Sequence, residues 1–474
     1  MKTITFKILV GLIILTFVLS ACAAPAAEVT TTAPTEPPVV ETAEPVVEPT
    51  TAPVEPPTIE PTAAPVEAPK PTGKITLWGW SYDAMQSTSL VDDFQKEYPD
   101  VELEFVKYSS SDTYQNLQLA VSAGTGAPDV VQIENSRLAQ FVDLDGLLDI
   151  TEWVQPYVPL MNAYKWVDAV KDGKYYAMPW DSGPVVLYYR RDVFKAAELS
   201  DNPDDVSAMV ATWDKYLETC TTIKEKTGKN CFAFSRANND ARLYEITLWQ
   251  QGLGYYDKDG KITVDSPENV ATLEKLGKFW DPMVVSEEQP WTDPWYAELN
   301  SPDNSVASIV EASWMGIFLK TWIAGGTAGM WGVAEMPAFA EGQVRASNDG
   351  GSTLAISSQS QNPEAAWAFI EYMLGRENSQ LRMFAYTDFL PSLESTYDDA
   401  LFYEPDTFFG SENTRQIYLK VAKEIPTAYI YGPNYQLMNG YVATAIQEFA
   451  TGQSSAADAL KAAADRIRAE TGMP

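Results

Sequence analysis

The stretch YYAMPWDSGPVVLYYRRDV at 175–193 decides how the rest of the chain is read. An aromatic pair leads into Trp180-Asp181-Ser182-Gly183-Pro184, a cluster of turn residues. This runs straight into Val185-Val186-Leu187-Tyr188-Tyr189, an unbroken β-branched and aromatic run with the composition of a buried strand. Gly-Pro fixes the bend, Trp180 offers an apolar face, and the Asp181 carboxylate and Ser182 hydroxyl offer directed hydrogen bonds. Such a set suits a neutral, hydroxyl-rich ligand. A rigid turn with a solvated Asp and a core Trp fits the same residues equally well.

Outward from this point the chain alternates strand and helix. Before it, 74–80 reads as a strand ending in two Trp, 83–98 as an amphipathic helix broken by Pro99, and 101–106 as a strand. A helix at 114–123 stops at Gly124, and 129–133 is a further strand. Strand–helix–strand–helix–strand is an α/β pattern with a parallel sheet, in which ligands sit at the carboxyl ends of strands. That rule sets Trp80, Glu134, Asn135, Trp180 and Asp181 along one edge. After it come helices at 213–227, 243–251 and 267–281, and short strands at 231–234, 305–314 and 331–337. The Gly350-Gly351 turn then feeds a strand from Ser352, and Gly-Gly lets backbone approach a ligand closely. A helix follows at 363–374 with Asn362 as its expected N-cap, and four more helices end the chain.

Composition removes whole classes of function. The formal net charge is −32, with no basic stripe to neutralise phosphates, so nucleic acid is not the partner. The chain has no histidine, which excludes His-based triads and His metal sites. No cofactor or metal is implied, and Asp257-Lys-Asp-Gly260 does not complete a calcium motif. Cys220 and Cys231 can pair in an exported protein or remain buried thiols.

The amino terminus explains export. A basic start and a short apolar run lead to Leu19-Ser20-Ala21-Cys22. Residues 1–21 resemble a bacterial lipoprotein signal peptide, with Cys22 as the lipidated first mature residue. Residues 22–73 are dominated by Pro, Thr, Ala, Glu and Val. They are too poor in apolar side chains to offset chain entropy, and so predict a disordered tether. Fully extended at about 3.1 Å per residue, it would span on the order of 150 Å.

Nearly the whole body resembles the family 1 extracellular solute-binding proteins of bacterial ABC importers, the group that includes maltodextrin-binding proteins. The matching residues are ITLWGW at 75–80, FQKEYPDVELEF at 94–105, AGTGAPDVV at 123–131, GKYYAMPWDSGPVVLYYRRDVF at 173–194, GVAEMPAF at 332–339, GGSTLAIS after Gly350, and NPEAAWAFIEYML at 362–374. The family's F-x-x-G-x-A-A-M segment is replaced before Trp314 by a run without its Gly and Met.

The resemblance implies an α/β, two-lobe periplasmic-binding-protein-like (type II) fold with an interlobe cleft and hinge. The expected lobes are 74–181 plus 340–388 and 185–335 plus 389–474. Crossings are expected at 181–184, near 337–342 and near 389–391. The implied role is a lipid-anchored, extracytoplasmic, monomeric, non-enzymatic protein that captures a sugar and passes it to an ABC permease in the membrane.

Fourteen Trp and twenty-four Tyr suit sugar stacking. The candidate contacts are Trp80, Glu134, Asn135, Trp180, Asp181, Trp314, Gly350, Gly351, Ser352, Tyr435 and Asn439, each of which also reads as core or turn. A stalked carbohydrate adhesin, a tethered glycoside hydrolase using two of the 65 acidic residues, or a polyamine-binding protein remain alternatives at this point. A phosphorylated solute would need cleft cations, for which Arg137 and Arg345 are the candidates.

Overall fold

Ten strands carry two sheets: β1 Gly73–Gly79, β2 Val101–Lys107, β3 Val130–Glu134, β4 Ala177–Pro179, β5 Val185–Arg190, β6 Phe232–Ala233, β7 Val285–Ser286, β8 Ser308–Ala312, β9 Trp331–Glu335 and β10 Ser352–Ile356. The computed structural model describes residues 70–236, 240–280, 284–303, 305–426 and 430–474. The expected signal peptide, Cys22 and nearly all of the expected tether lie outside the described residues.

The first sheet has the order β2-β1-β3-β10-β4 and the second β7-β6-β8-β5-β9. In the first, β1 runs parallel to β2 and β3, while β10 is antiparallel to β3 and β4. The second repeats the scheme: β6 is parallel to β7 and β8, and β5 is antiparallel to β8 and β9. The expected parallel direction therefore holds for four strands of each sheet and fails at β10 in the first and β5 in the second. Each of these enters its sheet directly from a crossing, so it starts at the cleft and runs away from it. The parallel strands end there.

β5 shows why the decisive stretch is continuously apolar. All six of its residues are buried. Val185, Leu187 and Tyr189 face one core with Trp213, Tyr216 and Phe232. Val186 and Tyr188 face another with Ile309, Trp331 and Tyr418. A strand covered on both faces loses the alternation of a half-exposed one. The first-lobe core gathers Ile75, Leu77, Val131, Ile133, Leu354 and Phe369.

Helix Trp213–Thr227 is capped by Thr212, whose side chain accepts from the Lys215 N–H, and it ends at left-handed Gly228. Cys220 and Cys231 form a disulfide. The expected helix at 83–98 is split into Asp83–Ser87 and Leu90–Glu97 by Ser89, at φ 59°. Asn362 occupies the N-cap position without capping, because its side chain donates to the Lys74 carbonyl instead, at 2.9 Å.

Among the described residues, three segments pass between the two sheets' cores. The first is 181–184. The second lies at 347–351 and not at 337–342: Ala338 exchanges backbone bonds with Ala211 and Trp213, and Ala346 packs in a second-lobe core. The third, Leu390–Pro391, pairs with Asp181–Ser182. Beyond it Leu393 returns to the first-lobe core, so the expected boundary at 389 is not a clean one. The first two crossings run so close that a Cβ on Gly183 would overlap the Asp349 carbonyl.

Candidate functional site

The carboxyl ends of β1 and β3 and the start of β10 lie side by side, since Ser352 pairs with Glu134 and Thr353 with Pro179. Gln132 organises this edge from below. Its Oε1 accepts from the Trp80 and Ser81 N–H groups at 3.1 and 3.0 Å, and its Nε2 donates to the Ser352 hydroxyl at 3.0 Å. The Asp181 carboxylate accepts the Ser352 N–H at 2.8 Å. Across the cleft, Trp314 follows β8 and donates its indole N–H to the Asp349 carbonyl at 3.0 Å.

Two adjoining cavities result, and both are lined by Ser110, Glu134 and Arg242. One, of about 280 Å³, is faced by Trp80, Asp181, Trp291, Trp314, Phe318 and Phe389, with Gly350, Gly351 and Ser352 on its crossing side. Its rings form a wall: Trp291 lies 6.0 Å from Trp314 with planes 30° apart, and Phe318 is 5.7 Å from Trp314. Trp291 holds φ at 67°, an outlier for a bulky side chain.

The other cavity, of about 250 Å³, is polar and includes Tyr114, Arg137, Asp240, Glu245, Asp349, Tyr435 and Asn439. Glu245 accepts from the hydroxyls of Tyr255 and Tyr435 at 2.5 and 2.9 Å and from the Asn439 amide at 2.8 Å. Burial nevertheless raises its carboxyl to about 7. Glu134 is also raised, chiefly by burial, with Arg242 opposing. Arg242 donates to Asp349 at 2.8 Å, and Asp349 holds its guanidinium charged. Arg137 lies over the Tyr114 ring, 5.2 Å from its centre.

Of the residues singled out from sequence, the structure brings together Trp80, Glu134, Asp181, Trp314, Gly350, Gly351 and Ser352 around the aromatic cavity, and Glu134, Tyr435 and Asn439 around the polar one. Two lie elsewhere. Trp180 is 1% exposed and belongs to the first-lobe core, because the chain turns after it and only Asp181 reaches the cleft. Asn135 is buried behind the wall, where its side chain bonds the Lys165 ammonium and the Lys165 carbonyl. Gly351, at φ 88°, makes its close approach to Asp181 and Lys165, so the Gly-Gly pair serves the crossing. Arg345 is absent from both cavities and bonds the Glu335 and Met336 carbonyls.

Sequence reasoning missed Arg242, Glu245, Asp349, Trp291 and Phe318. Arg242 carried a usable signal. It opens helix Arg242–Gln250, and a cation in a first turn opposes the helix dipole, a local rule broken in the manner of a functional residue. Among the described residues, no group of three or more His, Cys, Asp or Glu is placed to hold a metal. Apolar ring faces beside fixed donors and acceptors, with Arg242 paired to Asp349, suit a polyhydroxylated ring.

The sequence pattern of the bacterial extracellular solute-binding protein family matches residues 85–380. An arabinooligosaccharide-binding protein of Halalkalibacterium halodurans is 28% identical over 363 residues, covering 73% of this chain and 78% of that protein. A lactose-binding protein of Rhizobium radiobacter is 25% identical over 389 residues, covering 79% and 86%. Among solved structures, the ABC transporter associated binding protein from B. animalis subsp. lactis Bl-04, in complex with β-1,6-galactobiose, superposes with a TM-score of 0.70. It is 23% identical and covers 84% of this chain and 97% of that one, a likeness of fold.

Proposed function

Because this chain belongs to the family of bacterial extracellular solute-binding proteins, we propose that its cleft captures a carbohydrate by closure of the two lobes and delivers it to an ABC permease. The observation that carries the reading is the joining of an aromatic wall to a polar cavity through shared Glu134 and Arg242. Sugars present C–H faces to rings and hydroxyls to carboxylates and amides, so one ligand would use both halves. The oligosaccharide and lactose specificities of the two relatives support the same class. These relatives are binding proteins, and the hydrolase alternative is not carried forward.

Closure is a population shift. Solute that touches both walls binds the closed form better and draws the equilibrium toward it, with 181–184, 347–351 and 389–391 absorbing the change. In this reading lipid on Cys22 holds the protein at the outer face of the cell membrane, and the tether lets it reach the permease.

The test is a thermal-shift screen of the purified protein against mono- and oligosaccharides, polyamines, amino acids and glycerol phosphates. Ligand at a hundred times its Kd adds about 2.7 kcal/mol of stability. Stabilisation confined to sugars is the expected result. Stabilisation by polyamines alone, or by none of the panel at millimolar concentration, would overturn the reading.

A further inference from the structure

The aromatic wall does not stop at the mouth of the cavity. Trp314, Phe318 and Trp322 recur every fourth residue on one helical segment, whose outer turn, Leu319–Ile323, is a π-helix. Such turns concentrate at functional sites. Ring centres step 5.7 Å from Trp314 to Phe318 and another 5.7 Å from Phe318 to Trp322, with planes turned by 50° and 52°. Trp314 and Phe318 line the cavity, while Trp322 lies outside it and is 52% exposed. Tyr296 braces Trp322 edge-on at 5.1 Å. Trp291, 37% exposed, borders both Trp314 and Phe318.

The polar residues of the same turn are engaged elsewhere. Lys320 is held by Asp388 and Asp406, and the Thr321 hydroxyl donates to the Ile317 carbonyl. What the turn presents outward is a ring.

We propose that Trp322 is an external subsite, where the ladder leaves the cleft and stacks the overhanging units of an oligosaccharide whose inner units fill the cavity. This rests on the carbohydrate reading of the cleft. Continuity decides the occupant: evenly stepped rings leading out of a ligand cavity suit a chain of rings. A flat protein partner would gain nothing from rings that descend into the cavity. The proposal makes the preferred solute longer than the cleft itself can enclose.

Isothermal titration calorimetry on the purified protein tests it, with arabino-, galacto- and malto-oligosaccharides of two to six units and the variants Trp322→Ala and Trp322→Phe. Affinity should rise with chain length in the native protein by roughly tenfold, of the order expected for one aromatic contact. Trp322→Ala should abolish that rise while leaving the shortest bound sugar unchanged, and Trp322→Phe should restore most of it. Binding independent of length, or an equal loss on short and long sugars, overturns the proposal and leaves the carbohydrate reading intact. Unchanged binding at every length with loss of uptake in cells also overturns it and assigns the ring to the permease. Failure of the native protein to bind any sugar overturns both.

Discussion

The two cavities of the cleft share residues and differ in what holds them. The aromatic one is a set of rings partly open to solvent, stacked and tilted against one another, with the Trp314 indole N–H bonded to the Asp349 carbonyl. The polar one is locked: Glu245 satisfies three donors, and Arg242 holds Asp349. The difference teaches where stability and affinity part. A partly exposed ring contributes to the solute more than to the fold, whereas a buried charge removed from a network costs both.

Three substitutions press on that comparison. Trp180→Ala should have the largest effect, and it should fall on the fold. The ring is fully enclosed in the first-lobe core, and its loss should cost about 4 kcal/mol in denaturant unfolding. A loss of affinity at unchanged stability would return Trp180 to the cleft. Trp314→Ala should do the reverse, lowering sugar affinity by about 3 kcal/mol, the scale of a central aromatic anchor. Calorimetry of binding beside the unfolding curve separates the two Trp. Arg242→Ala lies between, because it leaves Asp349 unpaired beside Glu134 and Glu311. Its side chain as a whole is over a third exposed, so the expected loss of affinity is near the low end for a truncated pair, about 2 kcal/mol, with a smaller fall in stability. Equal affinity in Arg242→Ala would remove the polar cavity from the binding site.

Most strands and helices, including β5 and helix Trp213–Thr227, were legible because their patterns are local. Strand direction at β5 and β10 was not, since it depends on which lobe the chain has just left. Trp180 and Trp314 look alike in sequence, each beside a turn of small and polar residues, and only the bend that buries one and bares the other tells them apart. Asp349 was hidden inside Asn348-Asp-Gly-Gly, whose turn chemistry explains every residue without a site. Glu245 sits mid-helix, and its meaning comes from Tyr255, beyond the end of that helix, and from Tyr435, far along the chain.

Asp168 supplies the finest test, because it joins the lobes behind the polar cavity. Its carboxylate accepts from the Tyr431 and Gly432 N–H groups at 3.0 and 3.1 Å. Burial raises it to about 7 from an ordinary 3.8, against the lowering effect of those two bonds and of Lys165. A folded-state pKa above the unfolded one means that the native chain holds the extra proton between the two values. Stability is therefore full below about 4 and declines as pH rises toward 7. Each such group contributes a slope of up to about 1.4 kcal/mol per pH unit in that window. Glu245 and Glu311, also raised by burial, add slopes of the same sign. Asp168→Asn keeps the acceptor oxygen and removes the proton. Denaturant unfolding at pH 5 and pH 6.5 should show the variant losing about 1 kcal/mol per unit less than the native protein. An unchanged slope would mean that Asp168 is ionised in the fold, and that its contact with Tyr431 and Gly432 is already a charged one.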